Sequence, residues 1–536
     1  MTSRKRSSSP ALHRVERLGE DDEAPERSER PSFFVIQVTA IASLGGILFG
    51  YDLGVISSAL PQLTTAFDLS HHEQQVVVSI LYVGGGLGAA LGGCLCDTWG
   101  RRKTILATDV LFGLGALVLF LAPSYDVVAF GRIIVGFAVA VSGIADVSYL
   151  HEISPNRWRG AVVSVNEACI SLGFLLAFAI GVLLSKEGSE DGWRIMFGVS
   201  GLIALLQFAG MWYMPESPKW LQKIGRHEES EAISRRIYSD ESPFSSRDEL
   251  LSHESLPASY DSITGLSRES LSQEESPMLR RCLLYSRQLS LQQWISFVST
   301  AMTRYRRQSY IAFFLAAVQQ FCGQTNVLSY APSILSQFQG NSGWTTLSLG
   351  LVKFAVTVIV IWKIEVVGRR TLLLVGMAII AGGLFLLTIA FGGTRLEDEG
   401  VDQTGNGFYL ALPGVWMVIC GYAMSFGPLT WLLTSEIFPT EIRGRALGAS
   451  TILTYSCAAV VTFTFLTAQD WWGTSAVFGT YLLVTIIGFW FAYVAIPETG
   501  DKTVDEIEED LGSMLWWRQP PANMDEQQDL VVATMD

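Results

Sequence analysis

The 536-residue sequence predicts an all-α membrane protein whose twelve transmembrane helices form two six-helix pseudo-repeats. Three observations support this fold class. Apolar residues make up 49% of the chain, charged residues only 16%, and the mean hydropathy is +0.33, unlike an ordinary soluble domain. Twelve apolar runs are long enough to cross a membrane as helices. Several charged phrases also occur once in each half of the chain, in the same order.

The repeated phrases stand at matching places between the apolar runs. They are Asp97–Thr104 and Glu365–Thr371, each with Gly-Arg-Arg; Glu152–Gly160 and Glu436–Gly444, each with Glu-x-x-Pro and a closing Arg-Gly; and Pro215–Ser217 and Pro497–Thr499. An internal repeat of about half a chain is a known arrangement of membrane bundles.

Residues outside the apolar runs are polar and charged. Residues 1–32 lack the apolar segment of a signal peptide, so we expect a disordered cytosolic tail. The net charge of −14 argues against a nucleic-acid partner. The seven cysteines are scattered without a metal-ligand cluster. We therefore expect reduced packing cysteines, no metal and no cofactor.

A membrane-crossing helix needs about 20 apolar residues to span about 30 Å of hydrocarbon. The predicted spans are 34–58, 76–95, 104–122, 127–148, 161–184, 194–214, 310–336, 345–364, 371–392, 408–434, 446–468 and 476–496. The bundles are thus residues 33–221 and 306–500. Between them, 222–305 predicts a cytosolic linker with short helices near 228–237 and 291–302, and 501–536 predicts a cytosolic tail.

Lysine and arginine are concentrated in the loops after helices 2, 4, 8 and 10. These residues are Arg101, Arg102, Lys103, Arg157, Arg159, Lys363, Arg369, Arg370, Arg443 and Arg445. The opposite loops hold little beyond Lys186, Arg194 and Arg395. The positive-inside rule therefore predicts a multi-pass protein with both termini in the cytosol, in the plasma membrane or an endomembrane.

Ionisable residues within the spans need a partner or a function, because a charge at a helix centre costs about 2.5–3.5 kcal/mol even on the lenient insertion scale. Asp52 in helix 1 and Arg132 in helix 4 lie at depths of about 9 and 7.5 Å from the outer face. They can neutralise one another. One interpretation is a structural ion pair; the other is a proton site on Asp52 whose access changes with conformation.

Glu167 in helix 5 and Lys353 in helix 8 lie at depths of about 12 and 15 Å from the inner face. They could meet in a central cavity, both contact ligand hydroxyls, or be hydrated separately. Asp109 and Asp146 lie nearer the cytosolic ends of helices 3 and 4. We expect these two carboxylates to be solvated or bound to loop arginines, and we assign them no role.

Uncharged polar groups interrupt two apolar runs. Helix 7 contains residues 319–326, a stretch with three glutamines, Gly323, Thr325 and Asn326. Amides supply donors and acceptors, as a polyhydroxylated ligand requires. In helix 10, Gly427-Pro428 predicts a break ahead of Trp431. An aromatic ring there could stack on a ligand or gate a cavity.

Charged residues at the cytosolic ends could form inter-helix salt bridges that hold the inner side shut across the two halves. The candidate cytosolic gate consists of Arg101, Glu152, Arg159, Arg369, Glu436 and Arg443. The alternative is that these arginines only set the topology.

In combination, the repeated phrases, Pro215–Leu221, the Gln319-Gln320 pair and Pro497–Thr499 resemble the sugar porter family of the major facilitator superfamily across residues 33–510. The resemblance implies the major facilitator fold, alternating access and a monosaccharide or polyol substrate. It places Phe49, Glu167, Gln319, Gln320, Thr325, Asn326, Lys353, Gly427 and Trp431 around the sugar. It also implies that Asp52 marks proton-coupled members and that Arg132 is its partner.

Within this family, Asn166-Glu167, residues 323–326 and Val352-Lys353 resemble the third class of animal glucose transporters, which contains members ten and twelve. The chain departs from the commoner pattern: Glu167 replaces a glutamine, Lys353 replaces an asparagine, and Thr454-Tyr455 replaces an Asn-Trp pair. These changes affect the residues that would contact the sugar.

We therefore expect a proton-coupled hexose symporter that favours glucose or a close relative, works as a monomer in the lipid bilayer and is not an enzyme. The alternatives in the same class are a facilitative hexose uniporter and a carrier of inositol or another polyol. The alternative from another class is a non-transporting sugar sensor.

Overall fold

The computed structural model describes residues 32–155, 158–184, 191–237, 303–336, 343–392, 406–500, 502 and 504–513, which contain nineteen α-helices and no β-strand. In the first half they are α1 (Phe33–Ala42), α2 (Leu44–Phe67), α3 (His71–Trp99), α4 (Arg101–Phe120), α5 (Tyr125–Ile153), α6 (Arg159–Leu184), α7 (Gly192–Trp212), α8 (Pro218–Lys223) and α9 (His227–Ile237). In the second half they are α10 (Arg306–Phe321), α11 (Gln324–Ser329), α12 (Ala331–Ser336), α13 (Gly343–Val367), α14 (Arg369–Gly392), α15 (Asn406–Met424), α16 (Phe426–Ile437), α17 (Thr440–Trp472), α18 (Thr474–Ala495) and α19 (Val504–Ser513).

Within the described residues, twelve helical stretches are long and apolar enough to cross a membrane, six in each half. This confirms the prediction of an all-α, multi-pass integral membrane protein. Several helices extend beyond their predicted spans because their ends are capped. For example, α3 begins with a capping box between Ser70 and Glu73 and ends at Gly100, whose φ is 92°. The predicted span 76–95 covers only the apolar middle of this helix.

Two membrane-crossing stretches of the second half are interrupted. The predicted span 310–336 consists of α10, α11 and α12, and α10 gives way to α11 at Gly323, which has a φ of 76°. The stretch over α15 and α16 breaks at Ser425, two residues before the predicted Gly427-Pro428 break. Pro428 is the third residue of α16, where its missing N–H leaves no intrahelical hydrogen bond unmade.

Glycine allows close backbone packing between α3 and α5. A Cβ atom added at Gly84 would collide with the carbonyl group of Ile133, and one added at Gly136 would collide with the carbonyl group of Leu81. Small residues at such contacts let membrane helices approach closely, and dispersion forces then hold them together.

The two halves touch through α3 with α17 and through α6 with α13. We name the end of the bundle that carries Arg101 and Arg369 the arginine-rich end, and the other the opposite end. At the opposite end, His71 Nδ1 lies 3.0 Å from Asp470 Oδ2, and the Thr467 hydroxyl donates to Gln75 Oε1 over 3.1 Å. Both contacts join α3 to α17, so the halves are closed together there.

Towards the arginine-rich end the same two helices separate. Near mid-span, a Cβ at Gly86 would lie 3.9 Å from the Cβ of Tyr455. Gly93 and Gly448 are seven residues, or two helical turns, nearer the arginine-rich end on these same faces. A Cβ at either glycine meets no atom within 4 Å. The helices α3 and α17 therefore diverge towards the arginine-rich end.

A short helix, α9, lies where the sequence predicted one near 228–237, and its Ser230 hydroxyl donates to the carbonyl group of Pro218 over 2.8 Å. The predicted helix near 291–302, the rest of the linker and residues 1–31 and 514–536 lie outside the described residues.

The close contact of α3 with α5 leads to a stability prediction. Gly136→Ala should lower the free energy of unfolding by about 1–3 kcal/mol, because the added Cβ must push the α3 backbone away. Gly113→Ala is the matched control, since a Cβ there meets nothing within 4 Å and alanine favours a helix. Thermal unfolding of the purified variants measures both. Equal unfolding temperatures would contradict the predicted steric effect.

Candidate functional site

Asp52 and Arg132 are both fully enclosed within the first half, with exposures of 0% and 1%. The Arg132 guanidinium donates to the backbone carbonyl of Asp52 over 3.2 Å and to that of Val77 over 3.4 Å. It also lies 5.9 Å from the ring centroid of Phe197. The sequence prediction that these residues lie close together therefore agrees with the geometry.

The contact between them is not a salt bridge. Of the ion pairs within 4.0 Å between described residues, none joins Asp52 to Arg132, and both carboxylate oxygens of Asp52 lack a hydrogen-bond donor. The neighbouring Ser200 hydroxyl donates to the carbonyl of Phe197 over 2.9 Å. A charged carboxylate without donors is costly in such a place. The arrangement leaves Asp52 free to take a proton.

The first part of the polar interruption carries two amide side chains, Gln319 and Gln320. Gln319 Nε2 donates to the Tyr422 hydroxyl over 2.8 Å, and its Oε1 is buried without a donor. Gln320 Oε1 accepts from the half-buried Thr325 hydroxyl over 2.9 Å. The interruption at Gly323 thus brings hydrogen-bonding groups from both α10 and α11 to one place.

Asn326 lies deeper in α11 and joins it to two neighbouring helices. Its Nδ2 donates to the carbonyl of Val461 over 2.9 Å and to the Tyr481 hydroxyl over 2.8 Å, whereas Oδ1 is buried without a donor. A Cβ at Gly323 would collide with the Tyr481 ring. Asn326 therefore holds the interruption in place, and its free oxygen retains the capacity to accept a hydrogen bond.

The remaining predicted sugar contacts include aromatic and small residues. Phe49 in α2 is half-buried, and its ring would lie 3.5 Å from a Cβ at Gly143. Gly427 and Trp431 are half-buried residues of α16, just after the break at Ser425. Trp431 therefore begins the second turn of a short helix that starts within the membrane.

Glu167 and Lys353 lie on α6 and α13, which face each other across the two halves. The Lys353 ammonium lies 3.5 Å from the ring centroid of Phe174, and the residue is 6% exposed. Glu167 is half-buried. The two charges influence one another, yet no ion pair within 4.0 Å between described residues joins them.

The level at which α6 and α13 meet explains why a direct Glu167–Lys353 pair, one of the predicted options, is absent in this conformation. The hydroxyls of Ser171 and Thr357 lie 2.8 Å apart. Glu167 lies one turn before Ser171 in α6, and Lys353 lies one turn before Thr357 in α13. Because these helices are antiparallel, the two turns run in opposite directions, and the backbones of Glu167 and Lys353 are separated by about 12 Å along the helix axes. Counting depth from Lys363 was wrong, because α13 continues to Val367.

Four side chains at the arginine-rich end of the first half form one network. Arg101 Nη2 lies 2.8 Å from Glu152 Oε1, and the Ser217 hydroxyl donates to the other oxygen of Glu152. Glu216 Oε1 accepts from the backbone N–H of Arg102 over 2.9 Å. The Glu216 carboxylate therefore caps the N-terminus of α4, where negative charge is favoured.

The second half repeats this network. Arg369 Nε lies 3.6 Å from Glu436 Oε1, and the Thr499 hydroxyl donates to Glu436 Oε2 over 2.5 Å. Glu498 accepts from the backbone N–H groups of Arg369 and Arg370 over 2.8 and 3.1 Å, at the N-terminus of α14. The glycine before each arginine pair, Gly100 and Gly368, has a φ near 90°, and a Cβ there would collide with the capping glutamate.

The prediction that these ion pairs cross between the halves is wrong for the conformation described. The Arg101–Glu152 and Arg369–Glu436 pairs each lie within one half. Arg443 Nε donates to the carbonyl of Phe438, five residues earlier. The side chain of Arg159 lies outside the described part of the chain. Among the described residues, no ion pair within 4.0 Å joins the two halves at this end.

Several contributing residues were not identified from the sequence. The Tyr422 and Tyr481 hydroxyls and the Phe174 ring are aromatic residues of apolar runs, which have no distinctive sequence signal. Glu216 and Glu498 did have a sequence signal, because the Pro-Glu dipeptide recurs after the sixth and the twelfth span. A glutamate placed twice at the same point of a repeat indicates a repeated contact.

By its fold and site, this protein is a membrane transporter: two six-helix halves close at one end and open at the other around a buried polar interruption. Residues 38–511 match the family model described as "Sugar (and other) transporter", so the chain belongs to that family of the major facilitator type. This confirms the resemblance, and with it the prediction of a transporter rather than an enzyme.

Known members of the family and solved structures are similar to this protein over most of its length. The sequence is 29% identical to "Solute carrier family 2, facilitated glucose transporter member 10" of Danio rerio, over 90% of this chain and 93% of that one. It is 30% identical to the galactose-proton symporter of Escherichia coli K12, over 88% and 94%. The xylose transporter XylE of E. coli in a partially occluded inward-open conformation matches with a TM-score of 0.69 and 26% identity, over 88% and 100%.

The placement of Glu167 and Lys353 leads to a prediction about coupling. Exchanging the two charges, Glu167→Lys with Lys353→Glu, should show a coupling free energy smaller than that of a direct ion pair in a double-mutant cycle, because the two charges influence one another only at a distance. Arg101→Glu with Glu152→Arg is the matched control and should show at least about 0.5 kcal/mol. Thermal unfolding of single and double variants measures both. Strong coupling of Glu167 with Lys353 would contradict the geometry.

Proposed function

We propose that this protein imports a hexose, glucose or a close relative, by alternating access with proton symport. The observation that carries the proposal is the buried Asp52 carboxylate, which has no hydrogen-bond donor although a guanidinium lies beside it. Such a group is stable when a proton neutralises it and costly when it is charged and unpaired. A proton bound at Asp52 would therefore be part of the transported load.

Arg132 makes the charge of Asp52 dependent on conformation. Its hydrogen bonds run to backbone carbonyls, so a small displacement of α2 relative to α5 would bring the guanidinium onto the carboxylate instead. Once Arg132 pairs with the carboxylate, the proton is expelled, because the guanidinium favours the charged form. The uptake of the proton by Asp52 on one side of the membrane and its release on the other would then follow from a single change in what the Arg132 guanidinium contacts.

The polar interruption supports a sugar substrate. Gln319 Oε1 and Asn326 Oδ1 are buried acceptors without donors, and hydroxyl groups of a sugar would supply those donors. Phe49, Gln320, Thr325, Gly427 and Trp431 would complete the pocket, with Glu167 and Lys353 contacting hydroxyls from opposite levels. The names of the matched relatives, which include a glucose transporter and a galactose-proton symporter, favour a hexose.

We infer that the conformation is inward-open, with the arginine-rich end and both termini in the cytosol of a plasma membrane or endomembrane. On this view residues 1–32, 222–305 and 501–536 are cytosolic, and 33–221 and 306–500 are the two moving bundles. One chain holds the complete site, so a monomer would suffice.

Two alternative functions would use the same pocket. A uniporter would move the hexose without a proton, and a polyol carrier would move inositol or another polyol instead of a hexose. A sensor would bind sugar without moving it. The unpaired Asp52 carboxylate favours the symporter over these alternatives.

The coupling prediction concerns Asp52→Asn in proteoliposomes with an inward proton gradient. Wild-type protein should accumulate glucose several-fold above its external concentration. Asp52→Asn should lose at least about 10-fold of this uphill uptake, because the amide cannot exchange a proton, yet keep sugar exchange. Radiolabelled uptake and internal pH are the measurements.

Asp126→Asn is the control, since Asp126 is an exposed acid in the first turn of α5, and it should behave like wild type. Uphill uptake by Asp52→Asn would refute the proton assignment. Glucose flux without a pH response in wild-type protein would establish the uniporter, inositol uptake in place of glucose the polyol carrier, and binding without flux the sensor.

Alternating access predicts that the contact at the opposite end must break during transport. Cysteines replacing His71 and Asp470, joined by a short bifunctional thiol reagent in a background without other reactive cysteines, should abolish transport because the outer side can no longer open. The single cysteine variants treated identically are the controls. Full transport by the cross-linked protein would exclude the proposed motion.

A further inference from the structure

Two buried carboxyl groups lie in the first half away from the site described above. Asp109 in α4 is 3% exposed, and Asp146 in α5 is 1% exposed. The expectation that they are solvated or bound to loop arginines is therefore wrong. The side-chain oxygens of Asp109 are enclosed by protein although the residue borders a groove between α4 and α7, so the charge of each carboxyl group must be neutralised by something other than solvent.

The two carboxyl groups lie at nearly the same level. Gly115 of α4 packs beside Val135 of α5, and Gly131 packs beside Leu119, so these helices are antiparallel neighbours. Asp109, six residues before Gly115, is therefore level with residue 141. The adjacent Ser142 donates to Asp146 Oδ2 over 2.5 Å, which draws that carboxylate towards Asp109. The two acids interact electrostatically.

Their hydrogen bonds differ. Asp146 accepts from Ser142 and, at Oδ1, from Gln207 Nε2 over 3.4 Å, whereas both oxygens of Asp109 lack a donor. Asp146 is thus arranged as a carboxylate, and Asp109 is not.

The surroundings add unused acceptors but no counter-charge. Gln207 is 0% exposed; its amide group lies on Asp146, and its Oε1 has no donor. Ser43 of the adjoining α1–α2 junction is 1% exposed, and its hydroxyl has no partner either. A proton on Asp109 would remove the charge from the one carboxyl group of the two that has no donor.

The other titratable group facing this cluster is the Cys96 thiol of α3, which lies near both Asp146 and Arg101. Arg101 is committed to Glu152 at 2.8 Å and to the carbonyl of Cys96 at 3.1 Å. From α2, Gly45 contributes only backbone, and a Cβ there would collide with the Asp146 carboxylate. The described neighbours therefore bring no free cation.

We propose that Asp109 and Asp146 form a second proton-binding site, separate from Asp52, in which Asp109 holds a proton beside an ionised Asp146. A proton requires no cavity and neutralises the one carboxyl group that has no donor. Because Asp146 acts electrostatically on Asp109, ionising both carboxyl groups together is also disfavoured. A bound sodium ion is the competing occupant, and it would leave Asp109 ionised.

Infrared spectroscopy of the full-length protein in lipid tests this site without relying on transport. The carbonyl stretch of protonated carboxyl groups at neutral pH should lose one component in Asp109→Asn. The same component should remain in Asp126→Asn and in Asp52→Asn. An Asp109→Asn spectrum identical to that of wild type would overturn the proposal.

Two further measurements distinguish the occupants and guard against a folding defect. If the component appears only when sodium is replaced by a large organic cation, the site binds a metal ion and the proposal fails.

Asp109→Asn should unfold near the wild-type temperature because the amide resembles the neutral acid, whereas Asp146→Asn should unfold about 2–4 °C lower. A lower unfolding temperature for Asp109→Asn than for Asp146→Asn would also overturn the proposal. Should Asp109→Asn not fold, Asp109→Glu should keep a protonated component at a shifted frequency.

Discussion

A polar or charged group inside the membrane must find its partner within the protein, because hydrocarbon offers none. This constraint shapes both halves of the molecule in the same way. Arg101–Glu152 and Arg369–Glu436 pair at matching positions, and a Pro-Glu glutamate caps the helix that each arginine begins. Each half therefore pairs these arginines with glutamates of its own at the arginine-rich end. The halves can separate there without exposing an unpaired charge to the membrane.

The sequence predicted the fold well because its signals are local. Long apolar runs count the spans, and repeated phrases reveal the two halves. Helix ends were less predictable: capping at Ser70 and the positive φ of Gly100 extend α3 past its apolar middle, and the second-half break falls at Ser425. Those boundaries depend on backbone conformation and hydrogen bonds, which hydropathy does not record.

The candidate site was predictable in its residue types and less so in its pairing. Asp52 and Arg132 are adjacent, as depth counting indicated, but the guanidinium binds a backbone carbonyl of Asp52. Glu167 and Lys353 were placed at similar depths, yet the register of α6 against α13, marked by the Ser171–Thr357 contact, separates them. Depth along one helix is a one-dimensional measure, whereas pairing also needs the register between helices.

Conformation explains why the predicted ion pairs between the halves are absent. At the opposite end, the contacts across the halves are a His71–Asp470 pair and a Thr467–Gln75 hydrogen bond. Exposed pairs of this kind contribute about 1 kcal/mol or less. The Arg101 and Arg369 networks are more extensive, but each lies inside one half. Nearer mid-span, the halves are also joined by the Ser171–Thr357 contact and by the Lys353 ammonium over the Phe174 ring. The two halves can therefore separate or meet at the arginine-rich end without breaking the ion pairs inside either half.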